Sequence, residues 1–345
     1  MDKTRLGTTD VMVSPICLGC MGFGEPAHGQ HEWTLDYAQT KPILQRALEA
    51  GINFFDTAPV YSDGDSEAFI GRALKELGAQ RKEVVLATKF YPKPVESGQT
   101  TMAYIESCLD ASLARLQTDY VDLYILHMWD YNTPIEETLE ALDSLVKAKK
   151  IHHIGISNAY AWQVAMANTI AKERGLTPFV SIQGHYNLIF REEEREMIPC
   201  ADFFGMAITP YSSLAGGRLA RKKTVDTKRK ELDSYARFKY DKTEAEDRKI
   251  IDEVEKIAGE LGVSMPSVAL AWLLAKGAVP IAGATKPEQV EAMKTAMRLQ
   301  LNEAQIERLD ANYIPHALVG VMAQNKPGSS PFSRNDADLK HLEKQ

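Results

Sequence analysis

Short runs of apolar residues recur along this chain, and after most of them apolar side chains return at three- and four-residue steps. The runs are rich in Val, Ile and Phe, which is typical of buried strands. The stretches between them, such as Ile135–Lys149, predict helices with one buried face. The eight predicted strands are Ser14–Leu18, Ile52–Phe55, Val84–Ala87, Val121–Leu126, Ile151–Ile156, Phe179–Ile182, Met206–Ile208 and Ala278–Ile281. Alternating strands and helices indicate a parallel sheet covered by helices, and eight strands can close a barrel.

Polar side chains stand where six consecutive predicted strands end. These residues are Asp56, Lys89, His127, Ser157–Asn158, Gln183 and Tyr211–Ser212. In a β/α barrel the carboxyl ends of all strands meet on one face, where the active sites of such enzymes lie. A doubly wound sheet would collect polar residues mainly at one switch point. The pattern therefore predicts an α/β fold, a (β/α)₈ TIM barrel, with its functional face at these strand ends.

Three segments lie outside this repeat. Lys3–Leu6 and Val11–Val13 flank a turn and predict an N-terminal β-hairpin. Residues 218–242 are polar and basic, and they predict a long loop after the seventh strand. Residues 314–345 have clusters of Pro, Gly, Ser and Asn and predict a C-terminal arm. Because no linker separates these parts, we interpret residues 1–345 as one domain.

Composition and charge narrow the class of protein. The 345 residues are 44% hydrophobic and 25% charged, which is enough for a large core. The net charge of −7 argues against nucleic acid or an anionic membrane as the main partner. The N-terminus is not a signal peptide, and no apolar run reaches the roughly 18 residues of a membrane helix. The sequence therefore predicts a cytoplasmic protein.

Cys17 and Cys20 form a C-x-x-C, a spacing found in redox pairs and in zinc sites. They lie in the apolar stretch PICLGCMGFG, and no second such pair or nearby pair of histidines completes a metal site. We interpret them, together with Cys108 and Cys200, as reduced structural thiols, which are usual in the cytosol. No metal site is predicted.

Four residues at or beside the strand ends, Asp56, Tyr61, Lys89 and His127, could combine into one mechanism. Each alone has an ordinary interpretation, as a helix cap, a loop residue, a surface cation or a hydrogen-bonded strand end. Carbonyl reduction places a hydride on carbon and a proton on oxygen. We expect Lys89, held by Asp56, to lower the pKa of Tyr61 by favouring its phenolate. We expect His127 to hydrogen-bond the carbonyl oxygen.

Longer segments, in order along residues 4–315, carry a resemblance to one family. They are LGTTDVMVSPICLGCMGFG, INFFDTAPVYSDGDSE, ATK at 87–89, YVDLYILHMWDYNTPIEETLEALDSLVKAKKIHHIGISN, PYSSLAGGRL and PIAGATKPEQVE. The chain resembles the aldo-keto reductases. Its amino-acid sequence is similar to that of bacterial members akin to aryl-alcohol dehydrogenases and xylulose reductases. The resemblance implies the barrel fold and makes the four residues above the family's catalytic tetrad.

The resemblance also implies that the cofactor is NADP(H), with NAD(H) as the alternative. The implied cofactor-binding residues are Gly19, Cys20, Met21, Asp56, Ser157, Asn158, Gln183, Tyr211, Ser212, Leu214, Gly216, Arg218, Gly283, Thr285, Lys286 and Gln289. Ser157, Asn158 and Gln183 would hold the nicotinamide carboxamide, which needs donors and acceptors. Tyr211 would stack on the nicotinamide. The backbone around Gly216 would approach the pyrophosphate.

The choice of NADP over NAD depends on the segment GATKPEQVEAM. Thr285 and Lys286 precede a proline at a predicted helix start, which suits a 2′-phosphate. Many family members have a basic residue, an acidic residue and Asn where this chain has Gln289, Ala292 and Met293. We therefore expect weaker adenine contacts and a less strict preference for NADP.

Aromatic residues beside the tetrad predict the substrate site. We expect Phe90, Trp129 and Tyr131, together with Tyr61, to contact an aldehyde, ketone or sugar carbonyl, or the corresponding alcohol. An alternative stays open, because similar barrels serve as cofactor-binding subunits of membrane channels with little turnover. The sequence leaves the reaction direction and the oligomeric state open, since one set of residues serves both directions and outer helices can be solvated or paired.

Overall fold

The computed structural model describes residues 3–28, 33–221 and 233–327. An N-terminal hairpin precedes a sheet of eight parallel strands that follow one another in chain order, with the last strand beside the first. The strands are β1 (Thr4–Arg5), β2 (Met12–Val13), β3 (Cys17–Gly19), β4 (Phe54–Asp56), β5 (Val85–Phe90), β6 (Val121–Leu126), β7 (Ile151–Ser157), β8 (Phe179–Gln183), β9 (Ala207–Ile208) and β10 (Ile281–Gly283). The predicted hairpin and eight-stranded α/β barrel are confirmed.

Backbone hydrogen bonds close the sheet into a ring. On one side, β10 pairs with β3, and Ile281 lies opposite Cys17. On the other side, Val279 N–H donates to the carbonyl of Ile208 at 2.8 Å, and Ile281 N–H donates to that of Pro210 at 2.9 Å. These bonds join β10 to β9, so every barrel strand has two neighbours. The carboxyl ends of the strands consequently converge on one face.

The strands are buried on both faces. Every residue of β6 is buried, which explains why its sequence is apolar apart from Asp122. Leu123 and Ile125 point into the ring and pack in its interior, where the hairpin contributes Leu6. Tyr124 and Leu126 point outwards and pack against the surrounding helices. The hairpin thus covers the amino-terminal end of the ring and leaves the opposite face for polar side chains.

Helices surround the ring and connect its strands. They are α1 (Tyr37–Glu49), α2 (Asp65–Glu76), α3 (Thr101–Leu116), α4 (Ile135–Lys147), α5 (Ala161–Arg174), α6 (Met197–Phe204), α7 (Ser234–Tyr240), α8 (Glu244–Leu261), α9 (Met265–Ala275), α10 (Val290–Ala296), α11 (Glu303–Asp310) and α12 (Val321–Gln324). Helix α4 begins at the residue predicted for it and ends two residues earlier, because Lys149 already turns with a φ of 60°. Gly175 ends α5 in the left-handed conformation (φ 65°), for which glycine is favoured.

Two segments predicted to be irregular contain helices. The loop predicted over residues 218–242 includes α7, because Ala236 and Tyr240, four residues apart, pack their side chains into the protein. Residues 222–232 of that loop lie outside the described residues. The C-terminal arm predicted over residues 314–345 includes α12. Residues 328–345 of the arm lie outside the described part of the chain.

The described ranges contain no single helix that is long and apolar enough to cross a membrane. Residues Ser234–Leu261 and Met265–Ala275 pass such a test only as a pair, which is bent by 101°. The second of these is α9, whose Trp272 is fully buried and packs in a cluster with α8.

Candidate active site

Lys89 is the centre of a buried polar cluster at the carboxyl ends of β4 and β5. Its side chain is fully buried, and Nζ donates to Oδ1 of Asp56 at 2.7 Å and to the carbonyl of Thr57 at 2.8 Å. The same ammonium donates to Oη of Tyr61 at 3.2 Å. Asp56 and Lys89 meet because they end adjacent parallel strands, in which Asp56 lies opposite Ala87. The structure thus brings three of the four predicted tetrad residues together.

A tight turn after β4 directs Tyr61 back to this cluster. Tyr61 begins a 3₁₀ turn that ends at Gly64, and its N–H donates to the carbonyl of Ala58 at 3.1 Å. Ser62 and Asp63 both have positive φ values, 47° and 52°, which are uncommon for residues with side chains. Such conformations often mark functional sites, where the surrounding structure imposes them. The turn keeps the phenol within reach of Lys89.

The electrostatic surroundings of Tyr61 differ from the prediction. Burial raises the pKa of Tyr61, and this effect outweighs the lowering by the Lys89 ammonium, so the net shift is upward. Lys89 lowers the pKa of Tyr61, as expected, and the larger opposing effect of burial was not predicted from the sequence. Burial lowers the pKa of Lys89, but Asp56 and Tyr61 raise it more, so Lys89 stays protonated. Tyr61 accordingly remains a protonated phenol at neutral pH.

His127, the fourth predicted residue, follows β6 directly and faces the same cluster. Its ring centroid lies 6.2 Å from that of Tyr61 in an edge-on arrangement. Burial, and then the charge of Lys89, hold the pKa of His127 well below its ordinary value, so the imidazole is neutral. Nδ1 of His127 is buried without a hydrogen-bond partner among the described residues. A neutral imidazole can donate one hydrogen bond to an oxygen near Tyr61.

Hydroxyl and amide groups extend the site across the ring to β7 and β8. Gln183 Nε2 donates to Oδ2 of Asp56 at 2.8 Å, which links β8 to the opposite side of the barrel. Ser157 Oγ donates to the carbonyl of Gln183 at 2.8 Å. Asn158 Nδ2 donates to Ser157 Oγ at 2.8 Å and to the carbonyl of His127 at 3.0 Å. The structure therefore brings all three predicted carboxamide-binding residues beside the tetrad.

Tyr211 lies next to this amide cluster and is held from two directions. Its hydroxyl donates to Oδ1 of Asn158 at 2.9 Å. His185 stacks on its ring, at a centroid distance of 5.5 Å and an angle of 13°, and Phe190 stacks on His185 at 4.1 Å. Sequence reasoning missed His185, although its position two residues after Gln183 would have suggested a place in the site. The stack supports Tyr211 from one side and gives its ring a fixed orientation.

The segment after Tyr211 has the tight turns that were predicted to approach a cofactor. Ser212 has a φ of 55°, and Gly216 has a φ of 62° inside the turn Ala215–Gly217. Leu214, which precedes this turn, is half-buried. The guanidinium of Arg218 pairs with Asp241 and lies over the ring of Tyr240.

The remaining predicted cofactor residues lie around β3 and β10. Gly19 and Gly283 end these adjacent strands opposite one another. Cys20 is fully buried, and its N–H donates to the carbonyl of Asp56 at 2.9 Å, while Met21 is half-buried.

The predicted 2′-phosphate segment follows β10 and has a defined turn. Thr285 N–H donates to Oε1 of Gln289 at 2.7 Å, and a 3₁₀ turn begins at Pro287. Lys286 is exposed. A hydroxyl and an exposed ammonium at this turn are groups that suit a phosphate. Gln289 accepts this hydrogen bond from Thr285, so its side chain stabilises the turn.

The predicted substrate residues are only partly supported by the geometry. Phe90, which was predicted to contact the substrate, is 2% exposed and stacks on Tyr124 in the core, so its geometry does not support that prediction. The ring of the next residue, Tyr91, stacks on that of His127 at a centroid distance of 4.6 Å, which is where Phe90 was expected. Trp129 packs against Trp162 on the first turn of α5.

Tyr131 lies near the same helix turn. Its hydroxyl accepts a hydrogen bond from Nε2 of Gln163 at 3.2 Å. Tyr131 and Trp129 therefore flank the face of the barrel near α5, whereas Tyr91 lies directly beside the tetrad.

The donor set can be compared with the needs of a nicotinamide dinucleotide. Such a ligand has an amide, a flat ring, a pyrophosphate and an adenosine. The site offers amide and hydroxyl groups at β7 and β8, a supported tyrosine ring, and glycine-containing turns without bulky side chains. These groups are of the chemical kinds that such a ligand needs.

Comparison with known proteins gives a consistent result. The model of the aldo/keto reductase family matches residues 15–314 of this chain. Versiconal hemiacetal acetate reductase of Aspergillus parasiticus is 35% identical over 341 residues, which cover 92% of this chain and 98% of that protein. The putative aryl-alcohol dehydrogenase AAD16 of Saccharomyces cerevisiae is 33% identical over 336 residues, or 91% and 97% of the two chains. Norsolorinic acid reductase B of Dothistroma septosporum is 34% identical over 317 residues, or 89% and 80%.

Proposed function

The chain belongs to the aldo/keto reductase family, and from that premise we propose that it reduces aldehydes, ketones or sugar carbonyls with NADPH, using Tyr61 as general acid. Membership makes it an oxidoreductase of a family that uses nicotinamide dinucleotides. The observation that carries the proposal is the contact of the buried Lys89 ammonium with both Asp56 and Tyr61. The relatives described above are named reductases and dehydrogenases, which favours turnover over the alternative of a channel-associated binding subunit.

The proposed mechanism assigns one task to each tetrad residue. Tyr61 would donate its proton to the carbonyl oxygen, and the chemistry that bound NADPH would supply is a hydride for the carbonyl carbon. Lys89 stabilises the phenolate that remains, and Asp56 keeps Lys89 charged and in place. His127, as a neutral imidazole, donates a hydrogen bond to the same oxygen. In alcohol oxidation the phenolate of Tyr61 accepts the proton instead.

The proposed cofactor site uses the groups that surround the tetrad. Ser157, Asn158 and Gln183 would bind the carboxamide, and Tyr211 would stack on the nicotinamide. Gly19, Cys20 and Met21 would border the cofactor near the tetrad, and the turn after Ser212 would follow the pyrophosphate. Preference for NADPH would come from Thr285 and Lys286. The further residues proposed here are Leu214, Gly216, Arg218, Gly283 and Gln289.

We also propose Tyr91, Trp129 and Tyr131 as the wall that contacts a small-molecule substrate. The negative net charge supports a protein that works without nucleic acid or a membrane surface, and we propose the cytoplasm as its location.

Tyr61→Phe tests the proposal, because it removes one hydroxyl and little else. Reduction of an accepted carbonyl should fall roughly 10²- to 10⁴-fold, the usual contribution of a general acid, while the Kd for NADPH stays unchanged. Tyr37→Phe is the matched control, since the Tyr37 hydroxyl bonds Glu76 on the surface. Steady-state rates on a panel of carbonyls and alcohols, with NADPH and NADH, and fluorescence titration would provide the measurements. Full activity in Tyr61→Phe would show that the acid–base assignment is wrong.

A further inference from the structure

An ion pair with a fully buried carboxylate adjoins the turn that carries Tyr61. Glu67 lies in the first turn of α2, and Nε of Arg115, near the end of α3, donates to its Oε2 at 2.6 Å. The other carboxylate oxygen, Oε1, accepts a hydrogen bond from Oγ of Thr88. Thr88 directly precedes Lys89 on β5. Glu67 therefore joins α2 both to α3 and to the strand that presents the proposed catalytic lysine.

The side chain of Arg115 also lies directly against the end of this turn. A Cβ atom at Gly64 would lie 2.7 Å from Cδ and 2.9 Å from Nε of Arg115. Gly64 has a φ of 97°, and the two residues before it have the positive φ values described above. Such backbone conformations persist only where the surrounding structure imposes them. Arg115, fixed by its bond to Glu67, is the side chain that borders the turn on this side.

A second set of hydrogen bonds anchors the same stretch of chain. Ser66 Oγ donates to the carbonyl of Cys20 at 2.8 Å and accepts a hydrogen bond from Oγ of Thr57, also at 2.8 Å. These bonds tie the start of α2 to the chain that follows β3 and β4. They act on either side of the turn, whereas Arg115 contacts the turn itself.

We propose that the ion pair of Arg115 with Glu67 positions Tyr61 for proton transfer. By bordering the turn at Gly64, the pair keeps the phenol in contact with the Lys89 ammonium. This inference rests on the proposed function, because it assigns the pair a role in a reaction that needs Tyr61 as general acid. The hydroxyl of Tyr61 lies 3.2 Å from Nζ of Lys89, so a shift of about 1 Å would break this hydrogen bond. Displacements of that size can lower a rate roughly 10²-fold.

The experiment measures single-turnover reduction of an accepted carbonyl by enzyme saturated with NADPH, together with the Kd for NADPH. Arg115→Met keeps an unbranched side chain beside Gly64 and removes the ion pair. The rate constant should fall roughly 10- to 100-fold, while the Kd for NADPH stays unchanged. In a Tyr61→Phe background the same substitution should lower the remaining rate by less than about twofold, because the hydroxyl through which Arg115 acts is already absent.

Matched variants separate positioning from stability, and circular dichroism confirms that each is folded. Arg72→Met removes a guanidinium from a surface ion pair with Glu76 on the same helix, α2, and should leave the rate constant unchanged. Arg115→Lys keeps a cation for Glu67 and should recover most of the rate. If Arg115→Met does not fold, the double variant Glu67→Gln/Arg115→Met replaces it, with the same loss expected, because it leaves no buried charge without a partner.

Two results would overturn the inference while the proposed function stands. One is an unchanged rate constant in folded Arg115→Met or in the folded double variant, which would show that the hydrogen bonds of Ser66 suffice to hold the turn. The other is an equal fold-loss with and without the Tyr61 hydroxyl, which would indicate a general structural effect. If Tyr61→Phe kept full activity, or the unaltered protein reduced no carbonyl on the panel, the proposed function itself would be wrong and the inference would fall with it.

Discussion

At the scale of single residues, two opposing effects set the acidity of Tyr61. Burial disfavours the phenolate, whereas the Lys89 ammonium favours it, and burial is the larger effect. Under the proposed mechanism, this outcome suits a general acid, which must hold its proton until it transfers the proton to the carbonyl oxygen. It also means that the lysine matters most after proton transfer, when it faces a phenolate.

These directions predict the pH dependence of the reaction. The pKa of Tyr61 is raised from its ordinary value of 10.0, so the phenol is protonated at neutral pH. The pKa of His127 is lowered, so the imidazole is neutral at the same pH. We expect kcat/KM for carbonyl reduction to stay level from about pH 7 to about pH 9. Alcohol oxidation, which needs the phenolate, should rise steadily over the same interval. Initial rates in both directions measure this, and a fall in reduction through neutral pH would contradict it.

The clustering of Asp56, Lys89 and His127 could be predicted from sequence because they stand at or beside strand ends, and parallel neighbours bring strand ends together. The upward shift in the pKa of Tyr61 could not be predicted, because it depends on how deeply the turn that contains Tyr61 buries the phenol. Phe90 and Tyr91 show a similar limit. Side chains alternate along a strand, so placing the end of β5 one residue off exchanges a core residue for a site residue.

At the scale of elements, glycines in helices report how closely neighbours approach. Gly71 in α2 is buried, and a Cβ there would lie 2.4 Å from the carbonyl oxygen of Leu116 at the end of α3. Gly259 in α8 is exposed, and a Cβ there would meet nothing within 4 Å. The two positions share helical backbone and differ in the space around them.

Gly71→Ala and Gly259→Ala should therefore change stability in opposite directions. Gly71→Ala should lower the free energy of unfolding by about 2 to 3 kcal/mol through overpacking. Gly259→Ala should raise it by about 1 kcal/mol, because alanine favours the helix. Urea unfolding followed by circular dichroism measures both, with Gly259→Ala as the control for helix propensity. If Gly71→Ala instead raised the free energy of unfolding as much as Gly259→Ala does, α2 and α3 would be able to separate at little cost.

Sequence patterns located the helices well where one apolar face is flanked by polar residues, as in α4. Helix α7 was not predicted, because only two residues, Ala236 and Tyr240, indicate a buried helix face within a stretch dominated by charged residues. Its packing on Gly216 emerges only in the tertiary structure. The same packing buries Lys239, a residue whose position in the sequence suggests solvent.

At the scale of the whole molecule, the barrel wall determines which thiols meet solvent. Burial raises the pKa of all four thiols, but Cys17 and Cys20 are fully buried, whereas Cys108 and Cys200 are half-buried. All four are free cysteines, so the C-x-x-C spacing here reflects strand packing.

This difference predicts a two-step reaction with Ellman's reagent. In the native protein only Cys108 and Cys200 should react within minutes, because the reagent has no access to the buried pair. All four should react after unfolding in guanidinium. The double variant Cys108→Ser/Cys200→Ser should lose the native reaction entirely. Rapid labelling of Cys17 or Cys20 in the folded protein would mean that the wall opens at β3.

Ring closure also sets an order of events during synthesis. Strand β3 leaves the ribosome early, yet one of its two neighbours, β10, is among the last parts of the barrel to be made. Until then the nascent chain presents an unpaired strand edge, the kind of surface that promotes association between chains. Contacts between distant parts of a chain also form slowly. The period of greatest risk of aggregation for this protein therefore comes before the ring is complete, while translation is still under way.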